Sequence, residues 1–295
     1  MYHDESQEAG YWHGILLVPQ NTRQRFLDQL EQIRANTGYP DPVCLRGLDK
    51  TSGRRYRCIR AWMQLGVAAL IQKLKGRRYP FSTGVDRPTP QFALLDQVIG
   101  AKFILFRKRD GHQDLERYPD YAAKIETTFR MGLKGGLHLF VDESRMLTVR
   151  SLHFDGHKHY GRRIDLKRIV GRLGQLRDQV CIAPDIQLFD ASSDHRKPDS
   201  QSYDDCQFLQ LADILVGGFR TVLGSQSNEA QRNVAYPLRK LVSDWHRGPA
   251  RMEHSRWYKG FCISECYLEG DEWKFADLRP PVPKPNSLFQ ESRAY

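Results

Sequence analysis

The order of strand-like and helix-like segments restricts the fold of this chain more than any other feature of its sequence. The first residues read as a strand and a second strand follows at Tyr11–Val18, with Gly10 near the turn between them, and this pattern predicts a β-hairpin. Apolar residues at helical spacing then predict a helix after Thr22 and another over Arg57–Lys75. Beyond residue 100 strands and helices alternate, which predicts an α/β fold with helices packed on a mixed sheet.

The predicted elements after residue 100 follow one another with short connections. In order, they are the strand Lys102–Phe106, a helix from Pro119 closed by Gly132 and Gly135-Gly136, the strand Leu137–Val141, the strand Met146–Phe154 with a turn at Asp155-Gly156, the helix Arg162–Arg177, the strand Asp185–Phe189, a helix from Asp204 to Val222, a helix near Glu229–Trp245 and a strand near Trp257–Tyr267. We therefore expect a core over residues 1–222 with a helical insertion at about 19–95, followed by a C-terminal extension of helix, strand and proline-rich tail over 223–295.

Charge and cysteine content narrow the class of protein. The 295 residues include 45 Lys or Arg against 35 Asp or Glu, a formal net charge of +10, which favours a polyanionic partner such as nucleic acid. No apolar run approaches the roughly 20 residues that span a membrane, and the acidic start Met1–Glu5 is not a secretory signal. The cysteines form no CxxC pair, as in reducing compartments. We expect a cytoplasmic protein without a membrane partner.

Part of the positive charge lies in clusters that suit phosphate binding. The arginines expected to contact nucleic acid are Arg54, Arg55, Arg57, Arg60, Arg77, Arg78, Arg162 and Arg163. Such patches neutralise phosphates and release counterions, and a neighbouring aromatic side chain such as Tyr56 can stack on an unpaired base. Solvated helix faces without a binding role would have the same composition, so this alternative stays open.

Three aspartates stand where a carboxylate would matter. Asp4 and Asp142 each begin an Asp-Glu-Ser tripeptide at the end of a predicted strand, and functional groups gather at the carboxyl ends of strands in such sheets. Asp213 lies in the apolar helical segment Leu209–Leu215, where an unpaired carboxylate is costly to bury. As alternatives, Asp4 and Asp142 could be turn residues, and Asp213 could face solvent.

Taken together, the three carboxylates suit a metal centre. Hard divalent cations prefer several carboxylate oxygens from a rigid frame, and two cations about 4 Å apart could activate a water and stabilise the leaving oxygen in phosphodiester cleavage. Gly217-Gly218, one turn after Asp213, would let this helix lie close to the sheet. The sequence contains neither a GxSxG nor a P-loop pattern, which disfavours the corresponding classes of enzyme.

These motifs resemble the bacterial family described as domain of unknown function 3800. The matching segments are the opening strand Tyr2–Ser6, the strand His138–Asp142 and the helix Leu209–Leu215. The resemblance spans about residues 1–222, and the family is similar to ribonuclease-H-like nucleases. It therefore implies a ribonuclease-H-like mixed sheet with flanking helices, in which Asp4, Asp142 and Asp213 are catalytic residues that bind Mg²⁺ or Mn²⁺.

His195 is a further catalytic candidate that the resemblance suggests. It lies in the polar loop between the strand Asp185–Phe189 and the helix that carries Asp213. Ribonuclease-H-like enzymes can place a mobile histidine in such a loop, where it helps proton movement or product release. Histidine suits that role because its pKa lies near neutrality. A surface histidine without function would have the same position in the sequence.

The leading hypothesis is a metal-dependent nuclease that hydrolyses phosphodiester bonds of DNA or RNA, with a role in bacterial defence or a mobile element suggested by analogy. The alternative is a nucleic-acid-binding or scaffold subunit of a larger nucleoprotein complex without strong catalysis. A third hypothesis is an interaction module whose C-terminal extension binds a protein partner. The three candidate ligands favour the enzyme, and the basic clusters favour the first two hypotheses over the third.

Overall fold

The computed structural model describes residues 1–7, 10–70, 100–109, 118–140, 146–156, 165–176, 179–224, 226–246, 260–270 and 272–277. The strands are β1 (Tyr2–Ser6), β2 (Tyr11–Leu17), β3 (Lys102–Lys108), β4 (Leu147–Asp155), β5 (Val180–Ala191), β6 (Phe261–Glu269) and β7 (Glu272–Asp277). The helices are α1 (Arg23–Thr37), α2 (Gly53–Leu70), α3 (Tyr121–Phe140), α4 (Leu166–Gly174), α5 (Tyr203–Val222) and α6 (Glu229–His246). The protein is therefore a mixed α/β fold, as the sequence pattern predicts.

The described strands form one mixed sheet with the order β5-β4-β1-β2-β3-β6-β7. β1, β2 and β3 form an antiparallel meander, and β4 and β5 extend it in parallel beyond β1. On the other side, β6 is parallel to β3 and β7 is antiparallel to β6. β1 thus lies in the interior of the sheet. Because β1, β4 and β5 are parallel, their carboxyl ends lie on the same side of the sheet.

Helices cover both faces of the sheet. Apolar side chains of α1, α2, α5 and α6 pack on one face around residues such as Trp12, Phe103 and Phe208. Those of α3 and α4 pack on the other face around residues such as Ile104 and Phe129. The neighbouring residues Phe103 and Ile104 belong to different faces because successive side chains of a strand point in opposite directions.

Helix α3 corrects one prediction made from the sequence. The expected strand Leu137–Val141 does not form, because α3 continues through residue 140. Two glycines that were expected to close the helix lie inside it and face β3. A Cβ on Gly132 would lie 2.8 Å from Phe106, and one on Gly136 would lie 2.5 Å from Ile104. These glycines therefore allow α3 to approach the sheet, and they do not end the helix.

The C-terminal region continues the same architecture. Helix α6 packs against α5 and α2, and β6 and β7 extend the sheet beyond β3. The predicted helix near Glu229–Trp245 is confirmed, and β7 was not predicted. The domain boundary after Val222 stays a prediction. Within the part of the chain that the structure describes, no helix combines the length and the apolar character needed to cross a membrane.

Candidate active site

The pairing of β1 with β4 brings two aspartates next to each other. His3 lies opposite Phe154 in this parallel pair, so the next residues along the two strands are Asp4 and Asp155. The rings of His3 and Phe154 both contact Phe129 of α3. Because side chains alternate between the faces of a sheet, Asp4 and Asp155 point to the opposite face, which α5 covers.

Helix α5 is aligned with β1 by contacts at both of its ends. At its beginning, the Ser202 hydroxyl accepts a hydrogen bond from the backbone N–H of Asp205, and the Tyr2 hydroxyl donates to the Asp205 carboxylate at 2.9 Å. Near its end, the Arg220 guanidinium donates to the Ser6 hydroxyl at 2.5 Å. The two bonded residues of β1 flank Asp4, so the middle of α5 lies over that residue.

The middle of α5 lies very close to the sheet because β2 has a glycine, Gly14, where α5 passes over it. A Cβ on Gly14 would lie only 2.1 Å from Cγ2 of Val216. Gly217 and Gly218, which were expected to permit this approach, face the loop after α1 and the helices α2 and α6 instead. The close contact lies three residues beyond Asp213 and therefore sets the height of that carboxylate above the sheet.

The three carboxylates influence one another's ionisation. Burial raises the pKa of Asp4 well above its ordinary value, and the negative charges of Asp213 and Asp155 raise it further. Burial also raises the pKa of Asp213 to about 6, with a contribution from Asp155, while the Cys44 thiol and the Leu45 N–H oppose the rise. The site therefore holds negative charge at an energetic cost that a bound cation would reduce.

The loop between α1 and α2 contacts the same carboxylates. The Leu45 backbone N–H donates to Asp213 Oδ2 at 3.4 Å, and the Cys44 thiol, which donates to the Arg46 carbonyl oxygen at 3.7 Å, lies near the same carboxylate. Burial and the negative charge of Asp213 raise the pKa of Cys44 above its usual range, so the thiol keeps its proton. Arg55 holds the loop by donating to the carbonyl oxygens of Cys44, Arg46 and Gly47.

Gln210, one helical turn before Asp213, connects this loop with His195. Its amide oxygen accepts hydrogen bonds from Arg34 Nη2 at 2.7 Å and from the Val43 N–H at 3.0 Å. Its amide nitrogen lies 3.3 Å from His195 Nδ1. Gln210 is 2% exposed, so these bonds are made without competition from water. One buried side chain therefore joins the α1–α2 loop, α5 and the loop after β5.

The surroundings of His195 determine its protonation. Because the amide nitrogen of Gln210 can only donate, Nδ1 of His195 accepts, and Nε2 carries the proton that is directed to the Pro40 carbonyl at 3.0 Å. Burial, followed by the positive charge of Arg34, lowers the pKa of His195, so the ring is neutral at neutral pH. The structure thus places His195 between Pro40 and Gln210, and Gln210 lies one turn before Asp213 on α5.

The carboxylate that β4 contributes differs from the one predicted from the sequence. Asp142 lies outside the described residues, so its metal-binding role stays a prediction, although the strand expected to carry it is part of α3. Asp155 was interpreted as a turn residue because it precedes Gly156 at the end of a strand. The signal that identifies it is the parallel pairing of β4 with β1, which the sequence does not reveal.

The predicted nucleic-acid-binding arginines divide into three groups. Those outside the described residues are Arg77, Arg78, Arg162 and Arg163. Arg54, Arg57 and Arg60 are exposed on α2 and are available to phosphates. Arg55 is half-buried and bound to loop carbonyls, which gives it a structural role. Tyr56 is 7% exposed, so the expectation that its ring stacks on a base is wrong.

The described residues contain no group of three or more His, Cys, Asp or Glu side chains that could hold a metal ion. The donor chemistry of Asp4, Asp155 and Asp213 nevertheless suits a hard cation, since such ions prefer carboxylate oxygens. Asp4 is buried and the other two are half-buried. The charges of Asp155 and Asp213 raise the pKa of Asp4, and the charge of Asp155 raises that of Asp213. These three residues therefore form a negatively charged site, but not a closed set of ligands.

Comparisons with known proteins gave no relative for this chain. No protein-family model matches it. A search of curated proteins found no match, and a search of solved structures found none either. The resemblance to the domain of unknown function 3800 family therefore depends on the motifs Tyr2–Ser6 and Leu209–Leu215, because residues 138–140 of the expected strand His138–Asp142 lie in α3, and membership of that family stays a prediction.

Proposed function

We propose that this chain is a ribonuclease-H-like hydrolase that cleaves phosphodiester bonds of DNA or RNA with the help of divalent cations. The observation that carries the proposal is the approach of Asp4, Asp155 and Asp213 to one another from β1, β4 and α5. The surrounding sheet supports it, because an antiparallel meander extended by two parallel strands, with helices on both faces, agrees with the core that the motifs imply. Fold alone would not justify an activity, so the proposal depends on the carboxylates.

In this proposal, Asp4, Asp155 and Asp213 hold the cations. Bound Mg²⁺ or Mn²⁺ would supply activation of a water and stabilisation of the leaving oxygen. The Leu45 N–H orients the Asp213 carboxylate, and the neighbouring Cys44 thiol keeps its proton and adds no negative charge. The exposed arginines of α2 begin within one turn of the α1–α2 loop and would bind the phosphates of the substrate.

A second function has one observation in its favour. Because Arg54, Arg57 and Arg60 are exposed on α2 and could bind phosphates without a catalytic centre, the chain could bind nucleic acid as a non-catalytic subunit of a nucleoprotein complex. The raised pKa values of Asp4 and Asp213 favour the enzyme, since clustered carboxylates without a cation destabilise a fold and have no evident use in a binding protein.

The decisive experiment is a cleavage assay with labelled single-stranded DNA, RNA and DNA–RNA hybrid, in Mg²⁺, in Mn²⁺ and in EDTA. We expect cleavage that requires a cation and that falls by at least about 100-fold in Asp155→Asn, because loss of a ligand exceeds the usual effect of an outer-shell change. Asp185→Asn is the matched control, since Asp185 is an exposed aspartate of β5. This variant should cleave at the wild-type rate.

The outcomes separate the two functions. Wild-type protein that binds nucleic acid in a salt-dependent manner, but cleaves none of the substrates with either cation, would support the binding subunit and refute the enzyme. A variant comparison also tests the two candidate carboxylates. If Asp142→Asn loses activity while Asp155→Asn retains it, the register argument for Asp155 is wrong and the original motif assignment is correct.

A further inference from the structure

A stack of three aromatic rings crosses the sheet on the face that carries the carboxylates. The rings of Tyr2 and His153 are stacked with centroids 4.6 Å apart, and those of His153 and Phe189 with centroids 4.8 Å apart. Tyr2 and His153 are each 2% exposed, whereas Phe189 is 39% exposed. The stack therefore extends from the core to the edge strand β5 and ends in a ring that solvent can reach.

The inner part of the stack is held in place by hydrogen bonds. Nδ1 of His153 donates to the Gln201 amide oxygen at 2.7 Å, because that oxygen can only accept. Gln201 in turn donates to the carbonyl oxygen of Phe154 at 2.7 Å. Because these contacts fix the plane of His153, the ring of Phe189 has a rigid support behind it.

The stack runs beside the carboxylates. Asp155 follows His153 by two residues in β4 and points to the same face, which corresponds to a separation of about 7 Å along the strand. Phe189 lies on the neighbouring strand, opposite His153. Ordinary strand spacing then gives roughly 8 Å between the Cα atoms of Phe189 and Asp155. A planar group on Phe189 would therefore be a near neighbour of a phosphodiester held at the carboxylates.

We propose that Phe189 stacks on an unpaired base of a single-stranded nucleic acid whose backbone passes over the carboxylates. This inference rests on the proposed function and specifies its substrate class. An aromatic ring accepts the face of any base, whereas the bases of an intact duplex have no free face to offer. The loop that follows β5 carries the exposed Lys197, and the net charge of +10 also favours a polyanionic strand.

The test measures binding in EDTA, so that no cleavage occurs. The probe is a single-stranded DNA with 2-aminopurine at successive positions, because the fluorescence of this base falls when it stacks. We expect Phe189→Leu, which keeps an apolar side chain without a ring, to bind this strand about tenfold more weakly and to lose the quenching. Phe189→Trp should retain both, and the affinity for a duplex of the same sequence should be the same in all three proteins.

Phe275 provides the matched control, since it is a 57% exposed ring on β7, at the opposite edge of the sheet. Phe275→Leu should bind and quench like the wild type. Equal affinity and quenching in the wild type and Phe189→Leu would overturn the inference, as would an equal loss for single strand and duplex. Thermal unfolding of each variant shows whether a loss of affinity reflects misfolding. If Phe189→Leu is unstable, its affinity is compared with that of Phe189→Trp under conditions in which both variants are folded, and equal affinities would overturn the inference.

The two proposals can fail separately. Wild-type protein that binds and quenches the strand but cleaves none of the DNA, RNA and hybrid substrates with either cation would refute the proposed function and leave the stacking inference standing. Wild-type protein that cleaves, with Phe189→Leu binding and quenching equally well, would refute the stacking inference alone. Wild-type protein that does not bind the single strand would refute the stacking inference, and the cleavage assay would still decide the proposed function.

Discussion

Replacing Asp213 by Asn should stabilise the free protein at neutral pH, although Asp213 is proposed to bind cations. Burial raises the pKa of this carboxyl group from 3.8 to about 6, so the folded state holds the proton more tightly than the unfolded state. The ionised side chain therefore opposes folding. This penalty is absent below about pH 3.8, grows as the pH rises towards 6 and is complete above that value.

The size of the penalty follows from the two pKa values. A rise from 3.8 to about 6 corresponds to about 3 kcal/mol of unfolding free energy at full ionisation. Part of this free-energy penalty arises from repulsion between Asp213 and the other carboxylates. The pKa of Asp4 should therefore fall when Asp213 is neutralised. Asn keeps an oxygen that can accept the Leu45 N–H. We therefore expect Asp213→Asn to gain about 1–3 kcal/mol at pH 7.5.

Urea unfolding in metal-free buffer at pH 7.5 and at pH 4.5 measures this effect. The gain should be present at pH 7.5 and much smaller at pH 4.5, and Mg²⁺ should reduce it by stabilising the wild type alone. Asp185→Asn, in which an exposed aspartate is changed, should show no gain at either pH. A gain of equal size at both pH values, or a loss at pH 7.5, would refute the electrostatic argument and indicate that Asp213 is a structural hydrogen-bonding residue.

Three further outcomes follow from the same structure. Mg²⁺ or Mn²⁺ should raise the Tm of the wild type in calorimetry but not that of Asp4→Asn, and an equal rise in both would exclude Asp4 from the site. Gln210→Leu should lower the free energy of unfolding by about 2–4 kcal/mol, because it leaves Nη2 of the buried Arg34 and the Val43 N–H without their acceptor; no change in urea denaturation would contradict the role of this residue. Nucleic-acid affinity should fall steeply with salt, with a smaller slope when the exposed arginines of α2 are replaced by Glu, and unchanged affinity across a salt titration would favour the interaction module.

The parts of the site that could be predicted are those with local causes. The opening hairpin places Asp4 in the middle of β1 (Tyr2–Ser6), and not at its end as expected, and the hairpin itself depends on neighbours in sequence. Asp213 was identifiable because a carboxylate in an otherwise apolar helical turn needs a partner outside the helix. The alternation of strands and helices was likewise sufficient to predict a mixed sheet with flanking helices.

The parts that could not be predicted depend on packing between distant segments. Gly132 and Gly136 were interpreted as the end of a helix, because glycine weakens helices, but their function is to admit the side chains of β3. This error created a false strand before Asp142. Asp155 has no local signal that distinguishes it from a turn residue, and only the pairing of β4 with β1 brings it beside Asp4.

Arg55 illustrates the same limit for the basic residues. Its neighbours Arg54 and Arg57 are exposed, and nothing in the run of arginines distinguishes the three. The distinction arises because the α1–α2 loop folds back over the beginning of α2 and presents carbonyl oxygens to Arg55. A cluster of like charges in a sequence therefore predicts a basic surface but not the individual side chains that a ligand can reach.

The contact between Gly14 and Val216 has an evolutionary consequence. Gly14 lies opposite Asp4 in the β1–β2 pair, and a methyl group there would overlap the Val216 side chain. In related sequences, the two positions should therefore covary, with a larger residue at one tolerated only beside a smaller residue at the other. Gly14→Ala alone should lift α5 and impair the site, whereas the additional change Val216→Ala should restore it. Two residues that touch no ligand would then limit which sequences can keep Asp213 within reach of Asp4.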